Sequence, residues 1–383
     1  MTDNIFLPYC LPFVEEEDIQ AVGEAMRSNW ITTGPKTRQF EADFARYVGA
    51  PSALALNSCT AGLHLLLKAA GIGPGDEVIL PDMTFCATAN TVLHVGAKPV
   101  FVDVDPDSLD LTVDKLEPFL SPRTKALMPV HYGGNPCRMN PLWEFARERG
   151  LVVLEDAAHA MGTYYQGKHI GASGDGAAFS FYATKNLTTG EGGMVTFRPE
   201  WEARLRMLSL HGMSRDAFRR YEKGGSWYYE VEEPGFKYNM TDMQAALGLV
   251  QLGKFERMQA RRAWIAEEYN RAFAPVEGLF LPPVSQGEGD RHAWHLYYLR
   301  FDPDRFSRED VVRRLTEAGI GISVHFIPLH RHPAYQHLGI DPRRFPVAEN
   351  AFRGLVSLPL YPGMSDESVA RVIETVLSIA QEA

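Results

Sequence analysis

Cysteine is scarce in this chain of 383 residues: Cys10, Cys59, Cys86 and Cys137 stand far apart, with no C-x-x-C pair. That spacing gives no zinc-like pattern and predicts reduced thiols in a cytoplasmic protein. Long apolar runs are missing too; none approaches the ~20 residues that span a bilayer. The opening Met-Thr-Asp-Asn lacks the basic and then apolar regions of a signal peptide. Positive charge is in the minority, with 38 Lys and Arg against 48 Asp and Glu and a net charge of −10. A general nucleic-acid binder would show a basic stripe instead, so neither nucleic acid nor a membrane is an expected partner. Several cofactor signatures are absent. Gly-x-Gly-x-x-Gly has only a near miss at Gly174-Asp175-Gly176, Lys36 after Thr33-Gly34-Pro35 lacks P-loop spacing, and no His-Glu-x-x-His occurs. His325, His330, His332 and His337 crowd one stretch, but their spacing fits no helix face and no Asp, Glu or Cys joins them, so no metal site is expected.

What is present is strand–helix alternation. Short apolar runs at 78–80, 99–102, 126–128 and 151–154 read as strands, separated by helix-spaced stretches at 60–70 and 141–149. This alternation predicts a mostly parallel sheet covered by helices, with ligands at the carboxyl ends of its strands. Residues 241–275 read as one long helix or two in sequence, and 278–289 as a connector rich in Pro, Gly and Ser. Beyond it come a strand over 295–301, a helix over 308–318 opened by Ser307, a strand over 320–327 and a closing helix over 366–380. The chain is expected to divide into a large domain over 1–250 and a connecting helix with a smaller α+β domain over 251–383.

Three stretches could carry chemistry. In Phe179-Ser180-Phe181-Tyr182-Ala183-Thr184-Lys185-Asn186 an apolar run delivers a Ser and a Lys into the turn Gly190-Glu191-Gly192-Gly193. A lysine there can form a Schiff base if its surroundings keep the amine neutral, although an isolated lysine after a strand is usually a surface residue. Leu151-Val152-Val153-Leu154-Glu155-Asp156 puts Asp156 just beyond a buried strand, with His159 one helical turn further on. A carboxylate there can pair with a pyridinium nitrogen; the bland alternative is a turn or cap residue. Asn57-Ser58-Cys59-Thr60-Ala61-Gly62 precedes a helical pattern, and backbone N–H groups at a helix start suit a phosphate. Its plainer reading is an N-cap by Ser58 or Thr60. Singly each stretch is weak; together, in the chain order phosphate cradle, ring acid, Ser and Lys, they point to pyridoxal 5′-phosphate (PLP).

Together these stretches resemble the DegT/DnrJ/StrS-type sugar aminotransferases, over nearly the whole chain. Further matches are Trp30-Ile31-Thr32-Thr33-Gly34-Pro35-Lys36, Pro129-Val130-His131-Tyr132, Gly235-Phe236-Lys237-Tyr238-Asn239, His292-Ala293-Trp294-His295 and Ser357-Leu358-Pro359-Leu360. Within the family the likeness is greatest to the aminotransferases that make UDP-4-amino-4-deoxy-L-arabinose. The resemblance implies a fold-type I, aspartate aminotransferase-like α/β architecture with a mostly parallel seven-stranded sheet and a smaller C-terminal α+β domain. It implies PLP, and pyridoxamine 5′-phosphate (PMP) in the half-reaction, with Lys185 forming the Schiff base and Asp156 paired to the ring nitrogen. His159 and Phe85 would flank the ring, and Thr60, Ala61 and Ser180 would hold the phosphate. Asn239 would reach the phosphate of a neighbouring subunit, which implies a homodimer with shared active sites. Thr33, Gly34, Lys36, Tyr182 and His325 would lie near a nucleotide-sugar substrate, and glutamate would be the amino donor. Phe85 stands where the arabinose enzymes carry Trp, and Tyr182 where they carry His, so the expected UDP-linked 4-keto-sugar keeps rivals in C3 and cyclitol amination. A sugar 3-dehydratase would carry His in place of Lys185, and a PLP-binding regulator without turnover would not need the proton-handling lysine.

Overall fold

The computed structural model describes residues 6–213 and 228–382. Its centre is a seven-stranded sheet built from β1 (Ala53–Leu56), β2 (Glu77–Pro81), β3 (Lys98–Val102), β4 (Thr124–Leu127), β5 (Val152–Asp156), β8 (Gly176–Ser180) and β9 (Gly193–Phe197), in the order β1-β9-β8-β5-β4-β2-β3. β3, β2, β4, β5 and β8 run parallel, whereas β9 is antiparallel to both β8 and β1. The parallel strands are short and largely apolar because helices cover both faces and leave no solvent side for polar alternation. A two-residue hairpin, β6 (Tyr164–Tyr165) and β7 (Lys168–His169), sits between β5 and β8.

Helices α1 (Glu16–Arg27) and α2 (Pro35–Val48) precede the sheet, α3 (Cys59–Ala69), α4 (Cys86–His94) and α5 (Met139–Arg149) link its strands, and α6 (Glu202–Ser209) follows β9. α3 is apolar nearly all round, from Leu63 to Leu67, because it packs on the sheet and is closed over by the helices around it. Ser58 caps it, its hydroxyl accepting the Ala61 N–H. α2 and α5 supply the second core, where Phe44 packs edge-on against Phe179 and Phe181 of the β8 segment and Phe40 lies tilted on Phe181.

The 241–275 stretch forms two helices, α7 (Asp242–Gly253) and α8 (Phe255–Phe273), which break at Lys254. α8 leads to a third core around an antiparallel sheet of β10 (Leu279–Phe280), β11 (Tyr297–Phe301) and β12 (Leu355–Leu358). That core is closed by α9 (Arg308–Glu317) and α11 (Asp366–Gln381), whereas α10 (Pro346–Gly354) buries Ala348 and Ala351 in the first core. Ser307 opens α9 as expected, accepting the Asp310 N–H. The strand expected over 320–327 does not form. Single bridges hold its two sides, Leu7 to Ile320 and Ser323 to Ser357, and no ladder develops between them. The physical reason lies downstream: Val324 and Phe326 pack against the first core, and Pro328 cannot donate to a ladder. No described helix is long and apolar enough to cross a membrane.

Candidate active site

The carboxyl ends of β5 and β8, the start of α3 and the 325–326 segment surround a cavity of about 350 Å³. Eight of the residues singled out in the sequence line it: Thr60, Phe85, Asp156, His159, Ser180, Tyr182, Lys185 and His325. β5 and β8 are adjacent and parallel, so their ends bring the acid and the lysine-bearing turn together. Asp156 is the last residue of its strand rather than one just beyond it, and His159 follows in a turn, not a helix.

Lys185 lies deep enough that burial lowers its amine to about 8, even though Cys59, Asp156 and Cys10 favour its charged form. Its Nζ stands 3.4 Å from Nε2 of His295. Asp156 is 4 % exposed. Burial raises its pKa, while the Thr88 hydroxyl (2.8 Å, to Oδ2) and the Ala158 N–H (3.1 Å, to Oδ1) support the carboxylate. The imidazole of His159 stays neutral through burial and the nearby Lys185 amine. Its ring stacks on Phe326 at 5.8 Å and meets His295 at 4.3 Å. Phe85 stands on the rim as the residue before α4, its ring 5.8 Å from Phe326. His325 is held by the Ser357 hydroxyl at 2.9 Å and lies 5.5 Å from the Tyr9 ring.

Ala61 stands behind the cavity wall, its N–H taken up by Ser58. That leaves the first N–H groups of α3, from Cys59 and Thr60, without a partner within the helix, on residues that line the cavity together with Ser180. Thr33, Gly34, Lys36 and Asn239 do not line this cavity. They form a cluster of their own, with the Asn239 amide donating to the Thr33 hydroxyl at 2.6 Å. The N–H groups of Gly34 and Lys36 converge there on the Asp242 carboxylate. Of the crowded histidines, His330 is bound between Asp82 and Glu349, and only His325 reaches the cavity. Among the described residues no group of three or more His, Cys, Asp and Glu could hold a metal.

A half-buried low-pKa amine, a buried carboxylate, helix-start N–H groups, a serine hydroxyl and rings on the walls make a donor set that fits PLP. Sequence reasoning left several lining residues without a role: Tyr9, Cys10, Glu191, His295 and Phe326, along with Thr88 behind Asp156. His295 carried a signal as part of the His292-Ala293-Trp294-His295 match, and Glu191 as part of the turn Gly190-Glu191-Gly192-Gly193; the others reach the site through contacts distant in sequence.

Residues 12–377 match the DegT/DnrJ/EryC1/StrS aminotransferase family. The spore coat polysaccharide biosynthesis protein SpsC of Bacillus subtilis is 53% identical over 385 residues, covering 99% of this chain and 98% of that protein. Among solved structures, the sugar aminotransferase Spr1654 of Streptococcus pneumoniae in its PMP form superimposes with a TM-score of 0.92 at 35% identity, covering 98% of each chain. The same protein in its PLP form gives 0.91. Helicobacter pylori PseC, an aminotransferase involved in pseudoaminic acid biosynthesis, gives 0.91 at 29% identity, covering 99% of this chain and 100% of that one.

Proposed function

As a member of the DegT/DnrJ/EryC1/StrS aminotransferase family, this chain is a PLP-dependent sugar aminotransferase, and we propose that it aminates a nucleotide-linked 4-keto-sugar in two half-reactions. L-Glutamate is the donor in this reading, and a UDP-linked sugar accepts the amine at C4. The observation that carries it is a single cavity holding a half-buried amine near 8, a buried carboxylate and an anion-ready helix start.

Lys185 is the residue that joins the cofactor. Freed by the donor, its neutral Nζ removes the proton from the donor's Cα and later returns a proton in the reverse sense to the sugar carbon. Bound PLP supplies the electron sink that makes that Cα proton removable and carries the amino group between half-reactions. Asp156, held by Thr88 and Ala158, keeps a negative charge opposite the ring nitrogen and stabilises the charge that develops there. The Thr60 and Ala61 turn with Ser180 binds phosphate, while His159 and Phe85 bracket the ring. Tyr182 and His325 stand where the sugar nucleotide enters.

The cluster of Thr33, Gly34, Lys36 and Asn239 belongs in this reading to a neighbouring subunit's site, making the enzyme a homodimer. In support, these residues stand apart from their own cavity and next to the exposed Trp30 and Ile31, an apolar pair that a partner would cover. Free thiols throughout suit a cytoplasmic enzyme.

Adding L-glutamate to the PLP-loaded protein should replace the absorbance band of bound PLP with that of PMP, and the right 4-keto-sugar nucleotide should restore it. Lys185→Ala should keep the circular-dichroism spectrum and lose both changes. A protein that never takes up PLP, or a variant that still turns over at near-normal rate, would sink the assignment.

A further inference from the structure

His295 lies on the cavity wall with its imidazole reaching two partners: Nδ1 faces the Asn186 Oδ1 at 3.1 Å, and Nε2 faces the Lys185 Nζ at 3.4 Å. Which nitrogen carries the proton is decided by what lies behind Asn186. The Asn186 amide nitrogen donates to the Ala293 carbonyl at 2.7 Å and to the Gln259 Oε1 at 3.2 Å. A backbone carbonyl only accepts, so the atom facing Ala293 must be nitrogen and the atom facing His295 must be oxygen. Gln259 is oriented in the same way, since its own Nε2 points to the His292 carbonyl at 3.5 Å. Oδ1 of Asn186 can accept but not donate, and therefore Nδ1 of His295 carries the hydrogen.

The ring is buried, and both burial and the charge of Lys185 hold it neutral. A neutral imidazole with hydrogen on Nδ1 has a lone pair on Nε2. We infer that His295 is a positioning residue that accepts an N–H from Lys185 through an unprotonated Nε2, in a tautomer set by Asn186, Gln259 and two backbone carbonyls. Anchoring one N–H there keeps the amine's own lone pair turned away from His295. The anchor is rigid: the backbone N–H of His295 donates to the Gly133 carbonyl at 3.0 Å, and the ring packs against His159 at 4.3 Å. No proton transfer to His295 is involved, since a buried imidazolium beside an amine is disfavoured; the residue aims the base and does not replace it.

This inference rests on the reading of Lys185 as the reacting amine, and its test separates the two. Nitrogen-15 NMR of the histidine-labelled apoenzyme between pH 6 and 9 should show the His295 Nε2 unprotonated and Nδ1 protonated. A protonated Nε2 would overturn the anchor while leaving PLP uptake untouched. Two variants carry the idea into the half-reaction with L-glutamate. His295→Asn keeps a polar atom toward Asn186 but nothing at the Nε2 position, whereas His295→Gln can present its Oε1 there. The asparagine variant should lower the rate constant of the half-reaction about 100-fold, with little change in the glutamate concentration at half-saturation, because a misaimed reactive group costs about that much. The glutamine variant should recover most of the loss. Equal loss in both variants, or loss in neither, would show that His295 does no more than fill space. If PLP never binds even to the wild-type protein, it is the Lys185 reading that falls.

Discussion

Lys185 owes its reactivity to the water it has lost. An ammonium group is poorly solvated inside the protein, so its proton leaves more easily. With a pKa of about 8, roughly a tenth of the amine is neutral at pH 7, against about one part in a few thousand for an ordinary lysine. PLP uptake by the apoenzyme needs the neutral amine, so its rate should rise with pH through a midpoint near 8, as stopped-flow absorbance would show. A midpoint near that of a free lysine would mean the amine is solvated. At this scale the sequence was informative where a residue type is rare in its context, as with a lysine and an acid each ending an apolar run. It was silent on Thr88, which supports Asp156 across 68 positions of chain, and it offered His295 only as part of a longer match, without its contact to a lysine 110 positions away.

Elements place these residues through a hairpin: β8 and β9 pair from Ser180↔Gly193 onward, and the lysine-bearing turn is what joins them. Gly193 also pairs with Leu56 of β1, which brings it against the first turn of α3. A Cβ at Gly193 would stand 2.5 Å from the Cys59 nitrogen and 2.5 Å from the Ser58 carbonyl carbon, backbone atoms that cannot swing aside. Gly193→Ala should therefore cost about 1–3 kcal/mol in urea unfolding and also weaken PLP uptake, because the turn that would cradle the phosphate must shift. Stability matching wild type would show that the contact relaxes freely. Buried parallel strands such as β2 and β5 were legible as short apolar runs between turn residues. The 320–327 segment has the same apolar character, and composition alone could not reveal that its side chains belong to the cavity and the core rather than to a ladder.

Across the molecule, the C-terminal region is fastened to the central sheet by His330. Its ring is buried between Asp82, just past β2, at 2.6 Å and Glu349 of α10 at 2.8 Å. Burial opposes the charged ring, but the two carboxylates outweigh it and raise its pKa. The stabilisation is thus fully present below the unfolded histidine value of about 6.5 and is lost as pH rises through the higher folded value. The stability gap between wild type and His330→Asn, from urea melts, should narrow between pH 6 and pH 9; a constant gap would mean that the ring does not titrate in that range. The α/β class and the pairing of a larger sheet with a smaller one were readable from strand–helix order, but the fastening was not, since 248 positions separate Asp82 from His330. That separation has a consequence during synthesis. Lys185 and Asp156 leave the ribosome well before Leu296, His325 and Leu360, which wall off their cavity. Until those arrive the amine stays hydrated and protonated like any other lysine. A nascent or truncated chain should therefore react with aldehydes no faster than a solvated lysine does, and the heightened reactivity waits for the C-terminal wall of the cavity.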